Sequence, residues 1–166
     1  IAEEWPEGFH GAEADEATLK VLAAVAGVLA TADADRALRV GGQLGSDGAP
    51  PGDWTVRLDG RDYAVSLEED AITVDGEPVV IELEYAPGQR FVEVAAYADD
   101  AEDAAPLATH GIQVEPRRTG YRLTTRGAKH EVRVLPTRIA HLAGHMLEKV
   151  PSDLSKLLIC PMPGLL

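Results

Sequence analysis

The sequence predicts a mainly β fold: an eight-stranded antiparallel up-and-down barrel around a long N-terminal α-helix, with a short C-terminal helix. Three observations lead there. From Trp54 to Leu135 apolar and polar residues alternate with period two, in short runs separated by turn dipeptides. No helical segment interrupts those runs, which points to an antiparallel meander and not to βαβ units. Ahead of them stands one helix that is apolar on every side and lined with small residues.

The helix has a clear start. Asp15 is an N-cap with Glu16 in the first turn, and Leu19, Leu22, Val25, Ala26 and Leu29 follow at helical spacing. Arg36 and Arg39 suit a C-terminal turn, and Gly41-Gly42 is the expected stop. The span is about 25 residues, or about 37 Å at 1.5 Å per residue. Ala23, Ala24, Ala26, Gly27, Ala30 and Ala32 keep its middle thin, as a narrow enclosure requires. A barrel of eight strands has an interior just wide enough for side chains, so this helix is expected to thread it.

Residues 43–53 are rich in Gly, Pro and Ser and read as a long connector. Strands are expected at 54–58, 61–67, 71–74, 78–85, 90–97, 112–116, 121–125 and 129–135. The turns between them are Asp59-Gly60, Asp75-Gly76, Pro87-Gly88, Thr119-Gly120 and Arg126-Gly127. The acidic run at 99–103 reads as a solvated loop. Pro136 opens a second helix to about Met146, with Ile139, Leu142, Ala143 and Met146 on one face.

Composition excludes several function classes. The chain has 166 residues and a formal charge of −13, which argues against nucleic acid or an anionic membrane surface as partner. The longest uncharged run, residues 21–32, has twelve residues, short of the roughly 20 that span a bilayer. A single cysteine, Cys160, allows no internal disulfide and fits a reducing compartment. Charge is uneven along the chain: residues 1–115 carry −19 and residues 116–149 carry +6. Alternating arginines on the wet face of strands explain that pattern first. A complementary protein contact is the second reading.

Catalytic patterns do not emerge. Neither a phosphate-binding glycine loop nor a nucleophile elbow is present. Nothing near Cys160 would favour its thiolate. His141 and His145 lie four apart with Glu148 behind, but Leu142 occupies the place where a zinc protease carries its glutamate, so no metal is assigned. His10, His110 and His130 are read as surface or satisfied core positions.

The two ends carry a resemblance. Residues 1–11, Ile-Ala-Glu-Glu-Trp-Pro-Glu-Gly-Phe-His-Gly, resemble the segment that closes the biotin carboxylase region in α subunits of propionyl-CoA carboxylase. Glu148-Lys149-Val150-Pro151 and the Pro-Met-Pro-Gly of residues 161–164 resemble the lead into the biotinyl domain of those subunits. The chain thus reads as a piece of a longer one. The resemblance implies the end of a biotin carboxylase domain at 1–12, a BT domain at 13–150, and a linker with the start of a biotinyl carrier domain at 151–166.

For function, the resemblance implies a scaffold that docks the α subunit onto a carboxyltransferase β subunit through a hook-like connector, here residues 40–53. Val40, Gln43, Leu44, Pro50, Pro51 and Trp54 are its candidate interface residues. The parent enzyme of such a family carboxylates biotin with ATP, Mg²⁺ or Mn²⁺ and bicarbonate, then converts propionyl-CoA to methylmalonyl-CoA. The ATP-grasp region and the Ala-Met-Lys-Met biotinylation motif do not occur in this sequence, so no catalytic residue, cofactor or metal is expected within the piece itself. Other expected partners are the biotin carboxylase and biotinyl carrier domains of the same chain. The location implied is the cytoplasm of a bacterium or the mitochondrial matrix of a eukaryote. The alternatives are the same scaffold in a carboxylase for another acyl-CoA, 3-methylcrotonyl or long-chain, and a non-enzymatic ligand-binding barrel, which a threaded helix would fill.

Overall fold

The computed structural model describes residues 11–39, 48–68, 71–98, 105–143 and 145. Helix α1 (Glu16–Leu38) opens the fold, and the Asp15 carboxylate caps it by accepting from the Thr18 backbone N–H at 2.8 Å. That bond holds the Asp15 carboxyl below its ordinary pKa. The predicted Gly41-Gly42 stop lies outside the described residues; the last helical turn closes on Arg39, whose N–H donates to the Asp35 carbonyl at 3.1 Å.

Nine strands follow: β1 (Asp53–Leu58), β2 (Arg61–Glu68), β3 (Ala71–Val74), β4 (Glu77–Pro78), β5 (Val80–Leu83), β6 (Phe91–Tyr97), β7 (Ala108–Arg117), β8 (Gly120–Thr125) and β9 (Ala128–Pro136). They form one antiparallel sheet in the order β4-β3-β2-β1-β9-β8-β7-β6-β5. The pairing of β1 with β9, Trp54 opposite Pro136 and Val56 opposite Val134, joins the first strand to the last. The two ends of the order, β4 and β5, are separated in the chain only by Val79. The sheet is therefore a nearly closed barrel.

The strand count corrects the expected eight. The single strand predicted at 78–85 is broken at Val79 and ends at Leu83. Pro78 has no N–H to give a ladder, and at this point the segment changes neighbours. Thr73 and Val74 pair with Pro78 and Glu77 on one side, while Val80–Leu83 pairs with Tyr97 to Val94 on the other. One continuous segment thus closes the barrel by serving two partners in turn.

The turn chemistry is as the dipeptides predict at Asp59-Gly60, Asp75-Gly76 and Arg126-Gly127. All six residues have positive φ, between 47° and 84°, the geometry of a two-residue hairpin loop that matches strand twist. At the β7–β8 turn the loop residues are Arg118 and Thr119, and Gly120 already begins the strand, paired with Arg117.

Residues 21–27 of α1 are buried in succession, which only a helix enclosed on all sides can show. Its middle packs with the inward residues of the strands, among them Val56, Leu58, Tyr63, Val65, Val74, Val94, Ile112, Val114 and Leu123. The helix is long and apolar enough by composition to cross a bilayer, yet its central residues are spent on this core. Thinness matters most at Gly27, where an added Cβ would stand 2.8 Å from Val65 Cγ1 and 3.3 Å from Leu67 Cδ1. The interior needed by the ligand-barrel alternative is filled by the helix.

Helix α2 (Thr137–Ala143) is shorter than the predicted run from Pro136 to Met146. Pro136 ends β9 instead, paired with Trp54, and the His145 N–H donates to the Leu142 carbonyl at 3.0 Å in a turn beyond the helix.

Candidate docking surface

The end of the barrel where α1 finishes is held by polar residues set into an otherwise apolar helix. Thr31 accepts the Trp54 indole N–H at 2.8 Å and donates to the Pro51 carbonyl at 3.3 Å. Asp33 accepts from two phenols, Tyr121 at 2.7 Å and Tyr85 at 3.3 Å. Burial first and the Asp33 carboxylate second push the Tyr121 hydroxyl far above its ordinary pKa, and burial raises Tyr85 too. Arg36 donates to the Pro87 carbonyl at 3.0 Å. These three residues locate the exit of the helix against four different chain segments.

The connector re-enters the described structure at Gly48. The Leu67 N–H donates to the Gly52 carbonyl at 2.8 Å, so the last residues before β1 run beside β2. A Cβ at Gly52 would lie 2.9 Å from the Leu67 carbonyl oxygen, which explains why glycine occupies this approach. Between Ala34, Ala37 and Leu38 of α1, the connector residues Gly48, Ala49, Pro51 and Gly52, and Pro136 to Arg138 at the start of α2 lies a surface groove of about 740 Å³. Its walls are mostly small or apolar. Beyond it, Ile139 and Leu142 on α2 are exposed at 43% and 53%; being three apart, they share a face.

The predicted interface residues divide accordingly. Val40, Gln43 and Leu44 lie outside the described residues. Pro50 and Pro51 are half-buried, and Pro51 lines the groove. Trp54 is a core residue at 5% exposure: it anchors the connector from within, and its side chain offers a partner almost no surface. Sequence reasoning missed Thr31 and Asp33 and read Arg36 only as a charge suited to the helix C-terminus. Their signal was present, since they break an Ala-rich apolar run with hydrogen-bonding side chains, but only the fold supplies their partners.

On the outer face of β7 to β9 two of the arginines meet carboxylates. Arg122 is paired with Glu131 and lies 3.5 Å from Glu115, and Arg117 reaches Glu115 at 2.9 Å and Glu131 at 3.8 Å. Across the β1–β2 hairpin Arg57 clamps Asp62 with two bonds of 2.6 and 2.7 Å, which hold that carboxyl below its ordinary pKa. The first reading of the uneven charge, as the wet face of strands, accounts for these residues.

The remaining histidines do not form a site. His141 is exposed on α2 and His145 lies past its end; Glu148, Cys160 and the acidic run at 99–103 are outside the described residues. Among the described residues no three His, Cys, Asp or Glu side chains gather as a metal site would. His110 and His130 are buried, at 4% and 6% exposure, and each keeps a ring nitrogen without a hydrogen-bond partner among the described residues.

A nearly closed antiparallel barrel filled by its own helix, with an apolar groove where the connector meets the helix end, defines a helix-filled β-barrel domain. The particular family is shown by comparison. The chain belongs to the propionyl-coenzyme A carboxylase BT domain family, whose model matches residues 22–149. It is 37% identical over 172 residues to the propionyl-CoA carboxylase alpha chain of Ruegeria pomeroyi (strain ATCC 700808 / DSM 15171 / DSS-3), covering 100% of this chain and 24% of that protein. The chain thus spans about a quarter of the length of that curated relative.

Proposed function

We propose that this domain is the assembly scaffold of the α subunit of a biotin-dependent propionyl-CoA carboxylase, docking it to the carboxyltransferase β subunit. The observation that carries the reading is the connector. It is fastened to the barrel at Pro51, Gly52 and Trp54, while the groove beside it stands open next to the exposed Ile139 and Leu142. A segment tethered in this way can hold a partner in one orientation.

In this reading the domain of residues 13–150 sits between the end of a biotin carboxylase domain and the start of a biotinyl carrier domain. The parent enzyme uses ATP, Mg²⁺ or Mn²⁺ and bicarbonate to carboxylate biotin, and its β subunit transfers the carboxyl group to propionyl-CoA. The substrate is taken from the name of the Ruegeria relative. The scaffold would contribute geometry: a fixed separation between two active sites raises the effective concentration of a tethered biotinyl domain at each. The compartment proposed is the bacterial cytoplasm, or the mitochondrial matrix in a eukaryote.

The test replaces residues 40–47 with a Gly/Ser segment of equal length in the complete α chain, leaving Arg39 and Gly48 in place. Loss of co-elution with the β subunit in size-exclusion chromatography, with an unchanged circular dichroism spectrum, is the expected result. Undiminished co-elution overturns the connector as the docking element.

A further inference from the structure

One row of residues on the outer face of the barrel departs from the alternation of charge beside it. The register sets Arg57 on β1 directly opposite Arg133 on β9, Arg133 opposite Gly120 on β8, and Gly120 opposite Arg117 on β7. In the neighbouring row the signs alternate, with Glu131 opposite Arg122 and Arg122 opposite Glu115. Like charges directly opposite across strands are destabilising, so the sheet alone does not favour Arg57 beside Arg133. Position 120 is glycine for a backbone reason: its φ is +148°, and a Cβ there would stand 2.1 Å from the Val132 carbonyl oxygen. No side chain therefore fills the two strand spacings, about 10 Å, between Arg133 and Arg117.

This row borders a surface depression of about 500 Å³ between the β1–β2 and β7–β8 turns, lined by Arg57, Arg117, Arg133, Thr119, Asp59 and Glu131 among others. Both lining carboxylates are already engaged, Asp59 with His130 Nδ1 at 2.8 Å and Glu131 with Arg122. Arg57 gives Asp62 its Nε and one terminal nitrogen, and Arg117 gives Glu115 one terminal nitrogen while its Nε lies 3.8 Å from Glu131. Each keeps its other terminal nitrogen uncommitted. Arg133 takes part in none of these pairs and has no ion pair among the described residues.

We propose that this depression is a binding site for a phosphate group, held by Arg133 together with the uncommitted terminal nitrogens of Arg57 and Arg117. The geometry selects the anion. A planar carboxylate takes its donors in one plane, whereas a tetrahedral phosphate dianion presents acceptor oxygens in several directions, as guanidiniums on three different strands require. Arginine forks pair with phosphate oxygens in twos. The bound charge also neutralises the like-charge pair of Arg57 and Arg133, which is the local conflict that marks the place.

The experiment is isothermal titration calorimetry of the complete α chain at constant ionic strength, with inorganic phosphate in one arm and phenyl phosphate in the other. The wild type should show one binding site more than Arg133→Gln, a substitution at an exposed strand position that leaves the core untouched. Arg133→Lys, which keeps the charge and loses the fork, should bind at least tenfold more weakly than wild type. Tighter binding of phenyl phosphate identifies a phosphate ester as the ligand, and equal binding identifies free phosphate. Crystals of the same chain soaked in selenate, a tetrahedral dianion with an anomalous signal, should show a peak within hydrogen-bond distance of Arg133. Equal numbers of sites in wild type and Arg133→Gln overturn the proposal, and so does a depression without a selenate peak.

Discussion

The indole N–H of Trp54 donates to the hydroxyl of Thr31 at 2.8 Å, across 23 residues of chain. Because the same hydroxyl reaches the Pro51 carbonyl at 3.3 Å, one threonine on the helix fixes both the last part of the connector and the first strand of the barrel. Pro51 in turn lines the groove between α1, the connector and α2.

Thr31→Val keeps the side-chain volume and strands the buried indole N–H. The expected loss is about 1–3 kcal/mol, the cost of leaving a buried donor unsatisfied, read as a lower urea midpoint with an unchanged m-value. Trp54→Phe in the Thr31→Val background should then cost less than in wild type, because the donor is gone. Additive losses in that double-mutant cycle would show that the hydrogen bond contributes nothing.

Gly27 tests the thin-helix argument. Alanine is the better helix former by about 1 kcal/mol, but its Cβ would meet Val65 Cγ1 at 2.8 Å, and overpacking typically costs about 1–3 kcal/mol. Gly27→Ala should therefore be net destabilising by about 1 kcal/mol, and Gly27→Leu should prevent cooperative folding. Val65→Ala should turn the Gly27→Ala effect favourable. A thermal melt in which Gly27→Ala raises Tm in the wild-type background would contradict close packing at this point.

Asp33 accepts from two tyrosines, and Tyr121 is 5% exposed. Asp33→Ala removes both acceptors at once, with an expected loss of about 2–3 kcal/mol. Tyr121→Phe, which removes the buried donor itself, should cost only about 1 kcal/mol. Near-ultraviolet circular dichroism should report loosened tyrosine packing in the alanine variant; equal stability of the two variants would dismiss Asp33 as a shared acceptor.

Burial holds His110 below the ordinary histidine pKa of 6.5, with Arg126 acting in the same direction and Asp15 against it. The unfolded chain therefore takes up a proton before the folded one. Stability contributed by the neutral imidazole is complete above about pH 6.5 and is lost as pH falls below it, levelling off once the folded protein also protonates. Urea midpoints measured between about pH 7.5 and 5.5 should decline on acidification, and His110→Leu should flatten that decline. An identical slope in the two proteins would remove His110 as the cause.

The sequence by itself determined the large elements, because each rests on local chemistry. Asp15 was identifiable as a cap, the Asp-Gly pairs as hairpin turns, the period-two runs as strands, and the Ala-Gly stretch of α1 as a helix made to be enclosed. Even the family was readable from residues at the two ends. Break points were less legible. Val79 splits a strand because the chain must change partners there to close the barrel, and α2 stops early through a turn that its apolar spacing does not encode. Only the tertiary structure decided which side chains of the candidate site do what: Trp54 became an inward anchor, and Thr31, Asp33 and Arg36 became the residues that hold the exit of the helix. The physical reason is range. Caps, turns and periodicity act over a few residues, whereas Thr31 meets Trp54, and Asp33 gathers two tyrosines, only after segments distant in the chain have paired.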